Sequence, residues 1–212
     1  MTKTLNLELK SRVMTPTGRV TWAKFFPPKK SEEPNPDTGE YDKWWECSLV
    51  IPKDDPGLKV LFDLEKLHVQ EAFNGKKPHG FKSAIRQDES FDLDDPRYSW
   101  YKGNVIVSMR SKNQEVIPVR VIGKREDGKA ILEECTKDNF FSGVYAKAKV
   151  TMYHYNVAGS KGVACGLQNI YLVRTGEPLS TGKRRAEDDL EGADLDEFEV
   201  DNSALISEDE DY

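Results

Sequence analysis

Thirteen acidic residues and not one lysine or arginine occupy positions 186–212. A segment so charged and so poor in bulky apolar side chains cannot bury enough surface to offset its ordering entropy. The core of this 212-residue chain must therefore come from what precedes it. Residues 1–185 keep 24 acidic residues against 31 basic ones, although the whole chain carries a formal charge of −6. A cationic body bearing an anionic tether is thus expected. Such asymmetry points to nucleic acid or another polyelectrolyte as partner.

The body has the means to fold, since four Trp, eight Tyr and nine Phe supply large apolar area. No apolar run approaches the roughly 20 residues needed to span a bilayer. Residues 1–10 lack the apolar stretch of a secretory signal. Cys47, Cys135 and Cys165 form an odd, widely spaced set, fitting neither a disulfide framework nor a zinc ribbon. These features predict a soluble cytoplasmic protein without membrane, metal or cofactor.

Residues 5–26 read as extended chain, interrupted near Pro16–Gly18. Residues 27–43 are a connection rich in Pro and charge, followed by a second strand at 44–51. One helix is clear: Asp54 or Asp55 can cap it, Pro56 suits its first position and Gly75 its stop. Leu58, Leu61, Phe62, Leu64, Glu65, His68, Val69 and Ala72 share its inner stripe. Residues 76–102 look irregular. Strands are then expected at 104–110, 116–122 and, more weakly, 129–132. The best hairpin joins 144–155 to 162–174 through a loop at 156–161. Many short strands, one helix after the second strand and turn-rich joints suggest a mainly β, five-stranded barrel of the OB type. The body should span 1–176, and 177–212 should form a disordered linker and acidic tail.

The strand at 144–155 carries the sharpest signal. Alternation puts Val144, Ala146, Ala148, Val150, Met152 and His154 on one face, which reads as core. Tyr145, Lys147, Lys149, Thr151, Tyr153 and Tyr155 share the other. Cations that replace condensed counterions, interleaved with rings on which bases stack, suit an unpaired nucleic-acid strand. The same mixture recurs in Arg19, Trp22, Lys24 and Phe26, in Lys43, Trp44 and Trp45, and in Trp100, Tyr101 and Lys102. One of Trp44 and Trp45 must face inward. Trp22, Trp44, Tyr145, Tyr153 and Tyr155 are therefore candidates for stacking on bases. Lys24, Lys43, Arg110, Lys112, Lys147 and Lys149 are candidates for meeting phosphate.

Catalytic patterns are poor. His68, His79 and His154 have no metal-ligand spacing. The acidic cluster Asp88, Glu89, Asp92, Asp94 and Asp95 could hold Mg²⁺ in a nuclease, but lacks the central Gly of a calcium loop. Between Gly176 and Lys183 a phosphate-loop pattern fails by one residue, with Arg184 where Ser or Thr is required. No enzyme is expected. A metal-dependent nuclease or recombination enzyme and a protein-binding assembly barrel are the alternatives.

The order of these features resembles the replicative single-stranded-DNA-binding proteins of tailed bacteriophages. The resemblance is carried by Trp22–Phe26, the Pro-rich connection, the strand at 44–51 with its helix, Tyr145–Tyr155, the strand at 162–174 and the terminal Glu208, Asp209, Glu210, Asp211 and Tyr212. It covers most of the chain, with Tyr212 standing where Phe is commoner. It implies an OB fold, protection of single-stranded DNA in replication, recombination and repair in the host cytoplasm, and a tail that competes with DNA and recruits polymerase or helicase. RNA or duplex DNA as ligand, and a homo-oligomer, are left open.

Overall fold

The computed structural model describes residues 11–179 except 88, 90, 96, 97, 99, 100 and 158. These belong to one compact unit, Met1–Leu179. Expectations for Leu5 to Leu9, Trp100, Asp88 and the whole acidic tail, including Glu208, Asp209, Glu210, Asp211 and Tyr212, fall outside the described residues.

In chain order the strands are β1 (Arg12–Met14), β2 (Gly18–Pro34) and β3 (Tyr41–Pro52), followed by the helix α1 (Leu58–Phe73). Then come β4 (Lys82–Ser83), β5 (Ile85–Gln87), β6 (Asn104–Lys112), β7 (Val119–Lys124), β8 (Ala130–Glu134), β9 (Tyr145–Val157) and β10 (Ser160–Arg174). The break at 15–17 divides the first extended segment into β1 and β2, so α1 follows the second segment, as expected. Antiparallel pairings run β9–β2, β2–β3 and β3–β6. A parallel β6–β10 contact and the antiparallel β10–β9 hairpin close the circuit. Five strands thus pair in a ring, the OB-like arrangement read from the sequence.

Alternation explains the interior. Cys47, Leu49 and Ile51 of β3 face Val105, Val107 and Met109 of β6, and Val144, Ala146, Ala148, Val150 and Met152 line β9 and its approach. In β10 the inward positions are 163, 165 and 167, then 170. A register shift between Leu167 and Asn169 inserts one residue and changes the parity. His154 departs from the expected core face. The strand has run past the core there, and the ring is exposed at its edge.

The helix begins at Leu58, two residues after Pro56, because the Asp55 carboxylate accepts from the Gly57 N–H (2.8 Å) and holds a turn there. Asn74, at φ 52°, ends it one residue before Gly75. Its buried stripe of Leu58, Leu61, Leu64, Glu65, His68 and Val69 packs on β9 and β10. Buried Glu65 is partnered rather than orphaned: Lys77 Nζ lies 2.5 Å from one oxygen and Ser83 Oγ donates to the other. His68 accepts or donates at Ser11 Oγ (3.0 Å) and meets His154 Nδ1 at 3.3 Å. Burial, then the neighbouring His154, holds the His68 pKa below the ordinary imidazole value.

Three connections differ from the sequence reading. Residues 27–43 are largely ladder, since β2 and β3 extend into a two-stranded ribbon as far as the Pro34–Tyr41 pair. Residues 82–87 form two short strands, β4 on β10 and β5 on β6. The loop at 156–161 is almost all strand, paired up to Val157 and Ser160.

Candidate nucleic-acid interface

The outward faces of β3, β6, β9 and β10, with β4, β5 and the segment after them, enclose a cleft of about 700 Å³. Its floor is made of small or short side chains: Ser48, Ser83, Ala84, Ser108 and Ala164. Ser48 and Ser108 hydroxyls bond each other at 2.9 Å, and Arg86 Nη2 donates to Ser108 Oγ at 3.1 Å. Walls of this floor are rings, namely Trp22, Phe91, Tyr98, Tyr101, Tyr153 and Tyr155. Lys82, Arg86 and Arg110 supply positive charge, opposed among the lining residues by Glu46. Lys82 and Arg110 form no ion pair among the described residues.

Each ring is positioned by a local cause. Trp22 sits at a register shift between Thr21 and Lys24 and adopts φ 53°. A bulky residue in this left-handed region costs of order 1–3 kcal/mol and must be held by its surroundings. Holding it is a hydrogen bond from Nε1 to the Tyr101 hydroxyl at 3.0 Å. The indole remains 59% exposed, whereas Tyr101 is buried against Phe91 and Tyr98. Strand alternation brings Tyr153 and Tyr155 outward beside Ala164 and Gly162, their partners on β10. The Arg86 guanidinium lies 4.9 Å from the Phe91 ring centre.

Of the eleven body residues expected to contact nucleic acid, the cleft unites Trp22, Arg110, Tyr153 and Tyr155. Lys147 and Lys149 share the outward face of β9 but lie further along it, where Lys149 Nζ donates to the Arg12 carbonyl (3.4 Å). Tyr145 lies eight residues before Tyr153, about 27 Å along the strand. Its ring is covered by the Arg174 guanidinium at 3.3 Å. Lys24 is exposed on β2 opposite Glu46. Lys43, Trp44 and Lys112 cluster where the ribbon leaves the ring. There Trp45 is the inward indole and Trp44 is half exposed, 5.9 Å from Lys112 Nζ. Lys112 also pairs with Asp42 at 2.6 Å, and its hydrogen bond, with that of Asn113, holds the Asp42 carboxyl below its usual range.

Sequence reasoning missed Lys82, Arg86, Phe91 and Tyr98, all in the stretch read as irregular. Their only signal was the same interleaving of rings and cations, without periodicity to place it. Cys47 and Cys165 border the cleft as thiols, because burial raises the Cys47 pKa far above the ordinary value and pushes Cys165 up to about 12. Among the described residues no group of three or more His, Cys, Asp or Glu could hold a metal ion. In the acidic segment weighed for a nuclease, the Asp92 carboxylate accepts from the Asp94 N–H in a local turn.

Comparison with known proteins bears on the fold and the family. A family model described as the ssDNA-binding protein of Enterobacter phage Enc34 matches residues 11–200. No curated protein matches the chain by sequence. Among solved structures, the single-stranded DNA-binding protein from bacteriophage Enc34 is similar at 14% identity and a TM-score of 0.59, over 84% of this chain and 89% of that one. The same protein in complex with ssDNA gives 16% identity and 0.60, over 80% and 90%. The gp2.5 single-stranded DNA binding protein encoded by bacteriophage T7 gives 17% identity and 0.50, over 90% and 98%. Those likenesses are of fold, and the family match covers most of the sequence. The chain belongs to the family of the Enterobacter phage Enc34 ssDNA-binding protein.

Proposed function

We propose that this chain binds single-stranded DNA with little regard to sequence, using the cleft between Trp22, Phe91, Tyr153 and Tyr155 to stack bases. The observation that carries this reading is the joining, over one small-residue floor, of those rings with Lys82 and Arg110, cations without an ion pair among the described residues. Rings accept any base, at roughly 1–3 kcal/mol each, and cations pair with phosphate without reading sequence. Lys147, Lys149, Lys24, Lys43 and Lys112 continue the positive surface outside the cleft. Membership of a phage family supports roles in replication, recombination and repair inside the host cell, without catalysis. Stacking and phosphate contacts do not read a 2′-hydroxyl, so a matched RNA oligonucleotide should compete for the same cleft.

Salt dependence tests both the reading and its extent. Three phosphates neutralised by Lys82, Arg86 and Arg110 give a slope of log affinity against log salt of about −2. Recruiting three more cations along β9 and β3 steepens it to about −4. Fluorescence titration of a thymidine oligonucleotide between 50 and 200 mM salt measures this slope. A flat response marks an apolar protein-binding surface instead.

The thirteen acids of 187–211, ending in Tyr212, are proposed to compete with DNA for the same cations and, when displaced, to recruit polymerase or helicase. A flexible tether gives such a tail an effective concentration of order millimolar at the body. Deleting 187–212 should tighten oligonucleotide binding several-fold at 50 mM salt, with the gain shrinking at 200 mM as screening grows. Equal affinities at low salt would remove the competition.

A further inference from the structure

We propose that β8 is a self-pairing edge through which two copies of this chain associate about a twofold axis. β8 ends the order of strands, and β7 is its one partner among the described residues. All five of its residues are exposed. The hairpin it forms with β7 shows apolar side chains to solvent on both faces: Val121 is 58% exposed, Ile122 56% and Leu132 49%. Val121 and Leu132 are cross-strand partners, so the patch is continuous, and Val173 of β10 is exposed close by. An exposed apolar edge is a template for another strand unless charge or proline blunts it. β8 has no proline, and its charges favour its own copy.

The occupant follows from the sequence of the edge, Lys129-Ala130-Ile131-Leu132-Glu133. Antiparallel pairing centred on Ile131 sets Ile131 against Ile131 of the second copy and Leu132 against Ala130. It also sets Lys129 against Glu133, twice by symmetry, as a twofold contact requires. Lys129, Ile131 and Glu133 share one face by alternation, so the two ion pairs flank the isoleucines. Sliding the axis to Leu132 would lose both pairs and put Glu133 against Ile131. The self-complementary register is specific to a second copy. So short a contact implies a weak dimer, in the range of small transient interfaces.

Sedimentation velocity of the full chain without DNA, from about 1 to 200 µM, tests the pairing, the range being set by weak interfaces. A reversible monomer–dimer equilibrium is expected. K129E or E133K alone should raise the dimer Kd about tenfold, through two lost pairs and two like-charge contacts. The double variant K129E/E133K should bring it back. Recovery is diagnostic, because within one chain the double variant still lacks the Lys129–Asp127 and Arg120–Glu133 pairs. Only contacts across the axis are restored. A chain that stays monomeric throughout overturns the proposal, as does a dimer indifferent to all three variants, which would use another surface.

Discussion

Replacing Tyr153 and Tyr155 together by alanine is expected to weaken binding of a thymidine oligonucleotide by about 30-fold to 10⁴-fold, as two lost stacks of roughly 1–3 kcal/mol each dictate. Both rings line the cleft, and Tyr153 is 42% exposed, so the loss falls on binding more than on folding. Phenylalanine at both positions should retain most of the affinity, because stacking uses the ring face and not the hydroxyl. A control pair, Val60→Ala with Leu67→Ala, removes exposed apolar side chains from α1, outside the cleft, and should leave binding unchanged. Fluorescence anisotropy with a labelled oligonucleotide measures all three. If the tyrosine-to-alanine pair binds like the control, bases do not stack on this wall.

Part of this site was legible because one physical rule governed it. A period of two along residues 144–155 placed Tyr153 and Tyr155 outside and Val150 and Met152 inside, and the ring closure of five strands left that outer face exposed. The same rule required one of the two neighbouring indoles to face inward, and the structure makes that one Trp45. Lys82, Arg86 and Phe91 were not legible for the complementary reason. β4 and β5 have two and three residues, too few to show a period. Their positions come from partners distant in sequence: Lys82 pairs with Gly162, and Arg86 with Ile106. Tyr145 shows a different limit. Parity alone correctly turns it outward, but cannot foresee that Arg174, brought opposite it after a register shift in β10, covers its ring. The prolines of residues 27–43 argued for a loose connection, yet the ribbon beyond the ring has open edges where a missing N–H costs no ladder bond.

The dependence of the cleft on distant pairing makes Gly162→Ala the second large effect. Gly162 lies between two strands, opposite Tyr155 on β9 and Lys82 on β4. A Cβ there would stand 2.0 Å from the Lys82 carbonyl oxygen and 2.8 Å from the Tyr155 hydroxyl. The hydroxyl end of a tyrosine can swing aside, but a backbone carbonyl cannot without moving its strand. β4 would have to leave β10, taking Lys82 out of the cleft and Ser83 away from buried Glu65. Overpacking of this kind costs about 1–3 kcal/mol or more, and for a body of this size each kcal/mol lowers Tm by about 2–4 °C. Gly166→Ala is the matched comparison. It lies on the same strand, but its Cβ would find its nearest neighbours, the Thr151 carbonyl oxygen and a Tyr153 ring carbon, at an ordinary 3.5 Å. Thermal melts should therefore separate the two alanines by several degrees, and oligonucleotide affinity well below both melting points should fall for Gly162→Ala alone. Were Gly162→Ala to melt and bind as the unsubstituted chain does, β4 would not be the element that holds Lys82 over the floor, and the cation would have to owe its place to the Glu65 and Lys77 side of the fold.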